Sequence, residues 1–207
     1  MSIIKITRKD KEINDKLYKE YEALRMEDGW NEGDKDIAYG KLIKISELTE
    51  SPLFDSTVLD VGCGTGDLSA FLRLKNISDY TGIDIYEPAI KLAKIKYPKE
   101  IFINGDILDD VLEGRKFDFV FCSGALTTNL HTDNYKFIEA MLQKMWQLSK
   151  IGLAFNLLSD EDKDPDPDLF FYNIRTVIGY CKSLTPAAKI HIEKNSVSFQ
   201  THVYVYK

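Results

Sequence analysis

Apolar and polar positions follow two different periods along this chain, and the changes of period mark its elements. Ile13, Leu17, Tyr18, Tyr21 and Leu24 recur at helical spacing, and Asp28-Gly29-Trp30-Asn31-Glu32-Gly33 interrupts them. A second amphipathic helix is predicted from Ile37, Tyr39, Leu42, Ile43, Ile45 and Leu48. The pattern then shortens into strand-like runs at Val58–Val61, Tyr80–Ile85, Ile101–Ile103 and Phe117–Cys122. Helical sets separate the first three: Leu68, Phe71 and Leu72, then Ile90, Leu92, Ala93 and Ile95 behind the helix-opening Glu87-Pro88. After a polar stretch from Thr127 to Asp133, with Asp133 placed to cap, a helix carries Phe137, Ile138, Met141, Leu142, Met145 and Leu148. Ile151 to Leu158 predicts a fifth strand, Ser159 to Asp168 an acidic loop, and Phe170 to Leu184 a helix. Two alternating runs around Asn195-Ser196 predict a closing hairpin. Strands alternating with helices imply an α/β fold with a doubly wound, mostly parallel sheet.

The first strand ends in Asp60-Val61-Gly62-Cys63-Gly64-Thr65-Gly66-Asp67. A strand, a glycine turn and a helix bring backbone N–H groups close to a nucleotide-like ligand, because glycine accepts positive φ and has no Cβ in the way. A dinucleotide fingerprint G-x-G-x-x-G begun at Gly62 would need its third glycine at 67, where Asp67 stands. A carboxylate there is expected to repel a pyrophosphate. Asp84 closes the second strand, 18 residues after Gly66, where a ribose-binding carboxylate belongs.

Composition limits the partners. A chain of 207 residues with net charge −6 and no basic cluster offers little attraction to a phosphate backbone, so no nucleic-acid partner is expected. No apolar run reaches the roughly 20 residues that span a bilayer, so no membrane partner is expected either. Cys63, Cys122 and Cys181 are odd in number and lie in apolar contexts, which predicts buried reduced thiols and a cytoplasmic protein. The three histidines are far apart and no ligand-type spacing appears, so no metal is expected. Lys91, Lys94 and Lys96 are expected on the solvated face of their helix.

The pattern D-x-G-x-G-x-G, followed by Asp84, by Asn104-Gly105-Asp106-Ile107 and by Phe117 to Gly124, resembles the class I S-adenosylmethionine (SAM)-dependent methyltransferases. The resemblance is detailed from Val58 to Leu126 and looser beyond. It implies a Rossmann-like methyltransferase fold of seven strands in the order 3-2-1-4-5-7-6. It also implies one domain over 1–207, with a helical cap at 1–52 and a SAM-binding core at 53–207. The implied cofactor residues are Asp60, Gly62, Gly64, Gly66, Asp84, Ile85, Asp106, Ile107 and Ser123. Asp60 would balance the ammonium of SAM, Asp84 would take the ribose hydroxyls, and Asp106 with the Ile107 N–H would take the adenine.

The resemblance places acceptor residues after the fourth and fifth strands. His131 is the candidate base there, against the reading of a surface loop histidine; Asn129 orients an acceptor or serves the turn. Trp30 covers the cofactor or acceptor, or staples the N-terminal helices to the sheet. Tyr172 is placed to face the acceptor, and His191 and His202 are read as structural. Ser123-Gly124-Ala125-Leu126 stands where amide and adenine methylases carry N-P-P-Y, which favours a small-molecule acceptor methylated on oxygen or nitrogen, by a monomer or homodimer. The alternatives are a non-catalytic SAM-binding partner or regulator, an enzyme acting on protein or RNA, and a nicotinamide-dependent oxidoreductase.

Overall fold

The computed structural model describes residues 9, 12, 16, 32–77, 79–130, 133–160, 167–195 and 200–207. Ile13, Leu17, Tyr18, Tyr21, Leu24, Trp30 and His131 lie outside the described residues. From Glu32 the chain forms α1 (Glu32–Leu42) and a single turn, α2 (Ile45–Leu48). The one helix expected there is therefore broken at Ile43 and Lys44. Adjacent helical positions point about 100° apart. Hence Ala38 is buried while Ile37 is 47% exposed, and Leu42 and Ile45 complete the inward face.

The α/β core follows as β1 (Thr57–Val61), α3 (Asp67–Leu74), β2 (Asp79–Asp84), α4 (Glu87–Lys96), β3 (Ile101–Asn104), a 3-10 turn (Asp110–Leu112) and β4 (Phe117–Cys122). Then come α5 (Asn134–Leu148), β5 (Ser149–Ser159), β6 (Phe171–Tyr172), α6 (Ile174–Leu184), β7 (Lys189–Asn195) and β8 (Gln200–Tyr206). The sheet order is β3-β2-β1-β4-β5-β8-β7, with β6 paired to the end of β5. Strands β1 to β5 are parallel, and β8 runs antiparallel to both its neighbours. With the hairpin strands counted as 6 and 7, this is the expected order.

The difference is β6. Phe171 and Tyr172 were expected in a helix, but they extend alongside Leu158 and Ser159. The helix is delayed to Ile174 because the Asn173 side chain accepts the Thr176 N–H and caps it there. Asp133 caps α5 as expected, accepting from the N–H groups of Tyr135 and Lys136.

Successive strand residues point to opposite faces, so the sheet is buried on both sides. One face, with Val58, Phe119, Phe121, Ala154 and Tyr204, packs against Leu42 and Ile45, Leu68 and Leu72, and Ile90 and Ala93. The other, with Leu59, Val61, Val120, Phe155 and Val203, packs against α5 and α6 through Phe137, Met141, Met145 and Val177. On α4 the inward stripe is narrower than expected: Ala89, Ile90 and Ala93 are buried, while Leu92 is 39% and Ile95 76% exposed. The three cysteines are free and buried. No helix among the described residues is long and apolar enough to cross a membrane.

Candidate active site

Strand order reverses its direction of winding between β1 and β4, and the crevice at their carboxyl ends is where open α/β sheets bind ligands. The glycine turn occupies it. Gly62, Gly64 and Gly66 have φ of 72°, 51° and 85°, values at which a side chain is strained. A Cβ on Gly62 would stand 2.3 Å from the Ala125 Cβ, and one on Gly66 2.6 Å from the Phe102 ring. The turn is fixed to β2 by Gly62 N–H donating to the Ile83 carbonyl at 2.8 Å and Gly64 N–H to Asp84 Oδ2 at 2.8 Å.

Asp84 is the junction of the site. Its Oδ1 accepts the Tyr86 N–H at 2.8 Å, and its carbonyl accepts from Gly105 N–H at 2.9 Å and Asn104 Nδ2 at 3.1 Å. Burial raises its pKa, and the backbone N–H groups of Tyr86, Gly64 and Ile85 oppose that. With about four lone-pair sites on its two oxygens, the carboxylate keeps accepting capacity for a ligand hydroxyl. Beside it, Asp60 is 2% exposed and accepts from the Tyr80 hydroxyl at 2.7 Å. Burial pushes the Asp60 pKa up to about 7, the Tyr80 bond opposes this, and the Asp84 and Asp67 charges add to it. At the end of β3, Asp106 Oδ1 accepts the Leu108 N–H at 2.9 Å and so shapes the loop that presents Ile107.

At the end of β4, Gly124 N–H donates to Asn156 Oδ1 at 2.8 Å, and Asn156 Nδ2 reaches Ser123 Oγ at 3.4 Å. Asn156 was not singled out from the sequence, although an amide inside the apolar run Ala154 to Leu158 is the signal that points to it. The structure thus brings Asp60, the three glycines, Asp84, Ile85, Asp106, Ile107 and Ser123 to neighbouring strand ends.

Asp67 corrects the electrostatic argument drawn from the sequence. Its carboxylate accepts from Lys35 Nζ at 2.7 Å, Lys96 Nζ at 2.7 Å and the Tyr97 hydroxyl at 2.9 Å. These partners overcome burial and bring its pKa down to about 2. Two ammonium groups neutralise the charge that was expected to repel a pyrophosphate. Lys96 is therefore an ion-pair partner and not part of a solvated face.

The acceptor side is built differently from expectation. Residues 127–129 and 167–170 are zipped together: Asn129 N–H donates to the Asp168 carbonyl at 2.8 Å, and Phe170 N–H to the Thr127 carbonyl at 2.8 Å. Asn129 Nδ2 donates to the Pro167 carbonyl at 2.9 Å, so that amide serves the loop. Tyr172 is fully buried on the α5 side of the sheet, edge-on to Tyr135 and Phe170. That is a core position rather than one facing an acceptor.

The sequence profile of a family described as "Methyltransferase domain" matches residues 58–152, from the first strand through the start of the fifth. This stretch, just under half of the chain, is similar to that family. Solved structures agree in fold. A magnesium protoporphyrin IX methyltransferase from Synechocystis with bound S-adenosylhomocysteine (SAH) superimposes with a TM-score of 0.68 at 18% identity, over 95% of this chain and 97% of that one. An amino pentose methyltransferase from Micromonospora echinaspora with bound SAM gives 0.66 at 15% identity, over 90% and 95%. A SAM-dependent methyltransferase from Clostridium acetobutylicum gives 0.65 at 14%, over 93% and 98%. Among curated proteins, none matches the sequence.

Proposed function

We propose that this protein is a SAM-dependent methyltransferase that transfers the methyl group of SAM to a small polar molecule, at an oxygen or a nitrogen. In this reading Asp84 accepts from both ribose hydroxyls, Ile107 N–H and Asp106 hold the adenine, and Ser123 lies under the methionine part. Asp60 faces the ammonium, and Gly62, Gly64 and Gly66 let the backbone approach. The residues present fit the cofactor: Asp84 is buried, its carboxylate is pre-set by backbone N–H groups including those of Gly64 and Tyr86, and that single observation carries the assignment. When bound, SAM supplies an electrophilic methyl group on a sulfonium. The chain's own work is to align the acceptor atom, exclude water and, for a hydroxyl or ammonium acceptor, remove a proton. His131 is the residue proposed for that proton, and Trp30 for the cover over the cofactor.

Support for a small acceptor comes from the loops after β4 and β5, which residues 127–129 and 167–170 tie to each other. It comes also from relatives of this fold whose acceptors are a magnesium porphyrin and an amino pentose. The test is calorimetric titration with SAH. Wild type is expected to bind in the micromolar range, and Asp84→Ala to bind at least tenfold more weakly with an unchanged circular dichroism spectrum. Equal affinity in the variant refutes the ribose assignment. His131→Ala is expected to abolish turnover while sparing SAH binding, and unimpaired turnover removes the base.

A further inference from the structure

On the face of the sheet that carries α1, the strands change character toward their carboxyl ends. One cross-strand row is apolar, with Phe121, Ala154 and Tyr204 side by side. The next row is polar: Ser123 meets Asn156, Asn156 pairs with His202, and His202 pairs with Glu193. Asn156 is 1% exposed and His202 is 0% exposed. The neighbours of His202 are satisfied. Asn156 holds Gly124 N–H and donates to Gln200 Oε1 at 2.9 Å, and Glu193 takes the ammonium groups of Lys41 and Lys44. His202 is the exception in this row, because neither Nδ1 nor Nε2 has a hydrogen-bond partner among the described residues; on β7, His191 Nε2 also lacks one, but its Nδ1 is not orphaned. A buried donor or acceptor left unpaired is destabilising, and a phenylalanine would fill the same place without that cost.

We infer that His202 is an acceptor-binding residue, its ring nitrogens hydrogen-bonding an uncharged hydroxyl or N–H group of the methyl acceptor. The inference rests on the proposed function and extends it to a residue that sequence reasoning treated as structural. His202 is two strands from Ser123, about 10 Å at the usual strand spacing. It therefore holds the far side of the acceptor and not the reacting atom. Burial, with Lys41 adding and Glu193 opposing, lowers its pKa to about 4. The ring is neutral at pH 7, with one N–H to donate and one lone pair to accept. Such a ring suits a hydroxyl or an N–H, and it supplies no countercharge for a carboxylate.

The test uses the full chain labelled with 15N-histidine and saturated with SAH, titrated with phenol and with methyl glucoside as hydroxyl-bearing probes. Three histidines give three assignable ring systems. At least one probe is expected to shift the His202 ring nitrogens in a saturable way. His202→Phe is expected to weaken that probe about tenfold, the loss of a hydrogen bond worth about 1.4 kcal/mol. SAH affinity should change less than about twofold, and His202→Gln, which keeps a donor and an acceptor, should recover most of the probe binding. His202 resonances that already show a hydrogen-bonded ring and move with neither probe would mean a permanent buried water, and would overturn the inference. A chain that fails to bind SAH at all overturns the cofactor reading beneath it instead.

Discussion

Replacing Asp60 by asparagine should stabilise the cofactor-free protein, by an amount that depends on pH. Asp60 is raised from 3.8 to about 7 by burial. A folded-state pKa above the unfolded one means that the native protein holds this proton more tightly than the unfolded chain does. Its favourable contribution is full below 3.8 and is lost as pH rises to about 7. At about 1.4 kcal/mol per pH unit, carrying Asp60 costs roughly 4 kcal/mol at pH 8 and roughly 2 kcal/mol at pH 5. Asparagine keeps the shape and an acceptor oxygen for the Tyr80 hydroxyl but has no charge to desolvate. Thermal unfolding should therefore show Asp60→Asn melting about 10 °C higher at pH 8, given about 2–4 °C per kcal/mol for a chain of this size. The gap should be about half as large at pH 5. The same group gives a binding signature, since a cationic cofactor needs Asp60 ionised. Wild-type SAM affinity is expected to fall about tenfold from pH 8 to pH 6, and the variant's profile, weaker throughout, should lack that step. A variant no more stable than wild type at pH 8, or a gap independent of pH, refutes the reasoning.

Other outcomes follow from the same geometry. Gly62→Ala puts a Cβ at positive φ and against the Ala125 side chain, so chemical denaturation should show a loss of about 2 kcal/mol or more, with SAH binding lost. Wild-type stability in that variant would mean that the turn relaxes freely. Asp67 has a depressed pKa, so its stabilisation is present above 3.8 and lost as pH falls toward about 2. Asp67→Asn should cost about 2 kcal/mol at pH 7, and a double-mutant cycle with Lys35→Met should reveal coupling, whereas additive effects would deny the ion pair. Asn156→Ala leaves the partly buried Gly124 N–H without its acceptor and should cost about 1 kcal/mol in denaturation; a neutral result would mean that water replaces the amide.

The parts legible in the sequence were those in which a few consecutive residues carry both the structure and the chemistry. The run from Val58 to Leu68 holds strand, turn and helix together, and Asp84 and Asp106 each follow a short apolar run, so the strand ends that carry the proposed cofactor residues could be read locally. What escaped depends on residues far apart in the chain. Lys35 meets Asp67 only because α1 crosses to the start of α3, so a carboxylate expected to repel a pyrophosphate is neutralised. Asn156 and His202 are ordinary residues in alternating strands until the register of β5, β8 and β7 sets them in one row. Tyr172 was given a functional reading from its place after the fifth strand, but β6 turns its ring toward α5. The break between α1 and α2 reflects packing that helical periodicity does not contain.

The position of β8 has a consequence for how the molecule assembles. It follows β7 in the chain yet lies between β7 and β5. Until residues 200–206 emerge during synthesis, β5 is an open edge of eleven mostly buried, apolar residues, the kind of edge that recruits other chains. Once they arrive, β8 pairs with β5 on one side and with β7 on the other. Closure of the sheet is thus a late, long-range event. The nascent chain depends at that stage on whatever shields β5, and the polar row with Asn156 and His202 forms only when it is over.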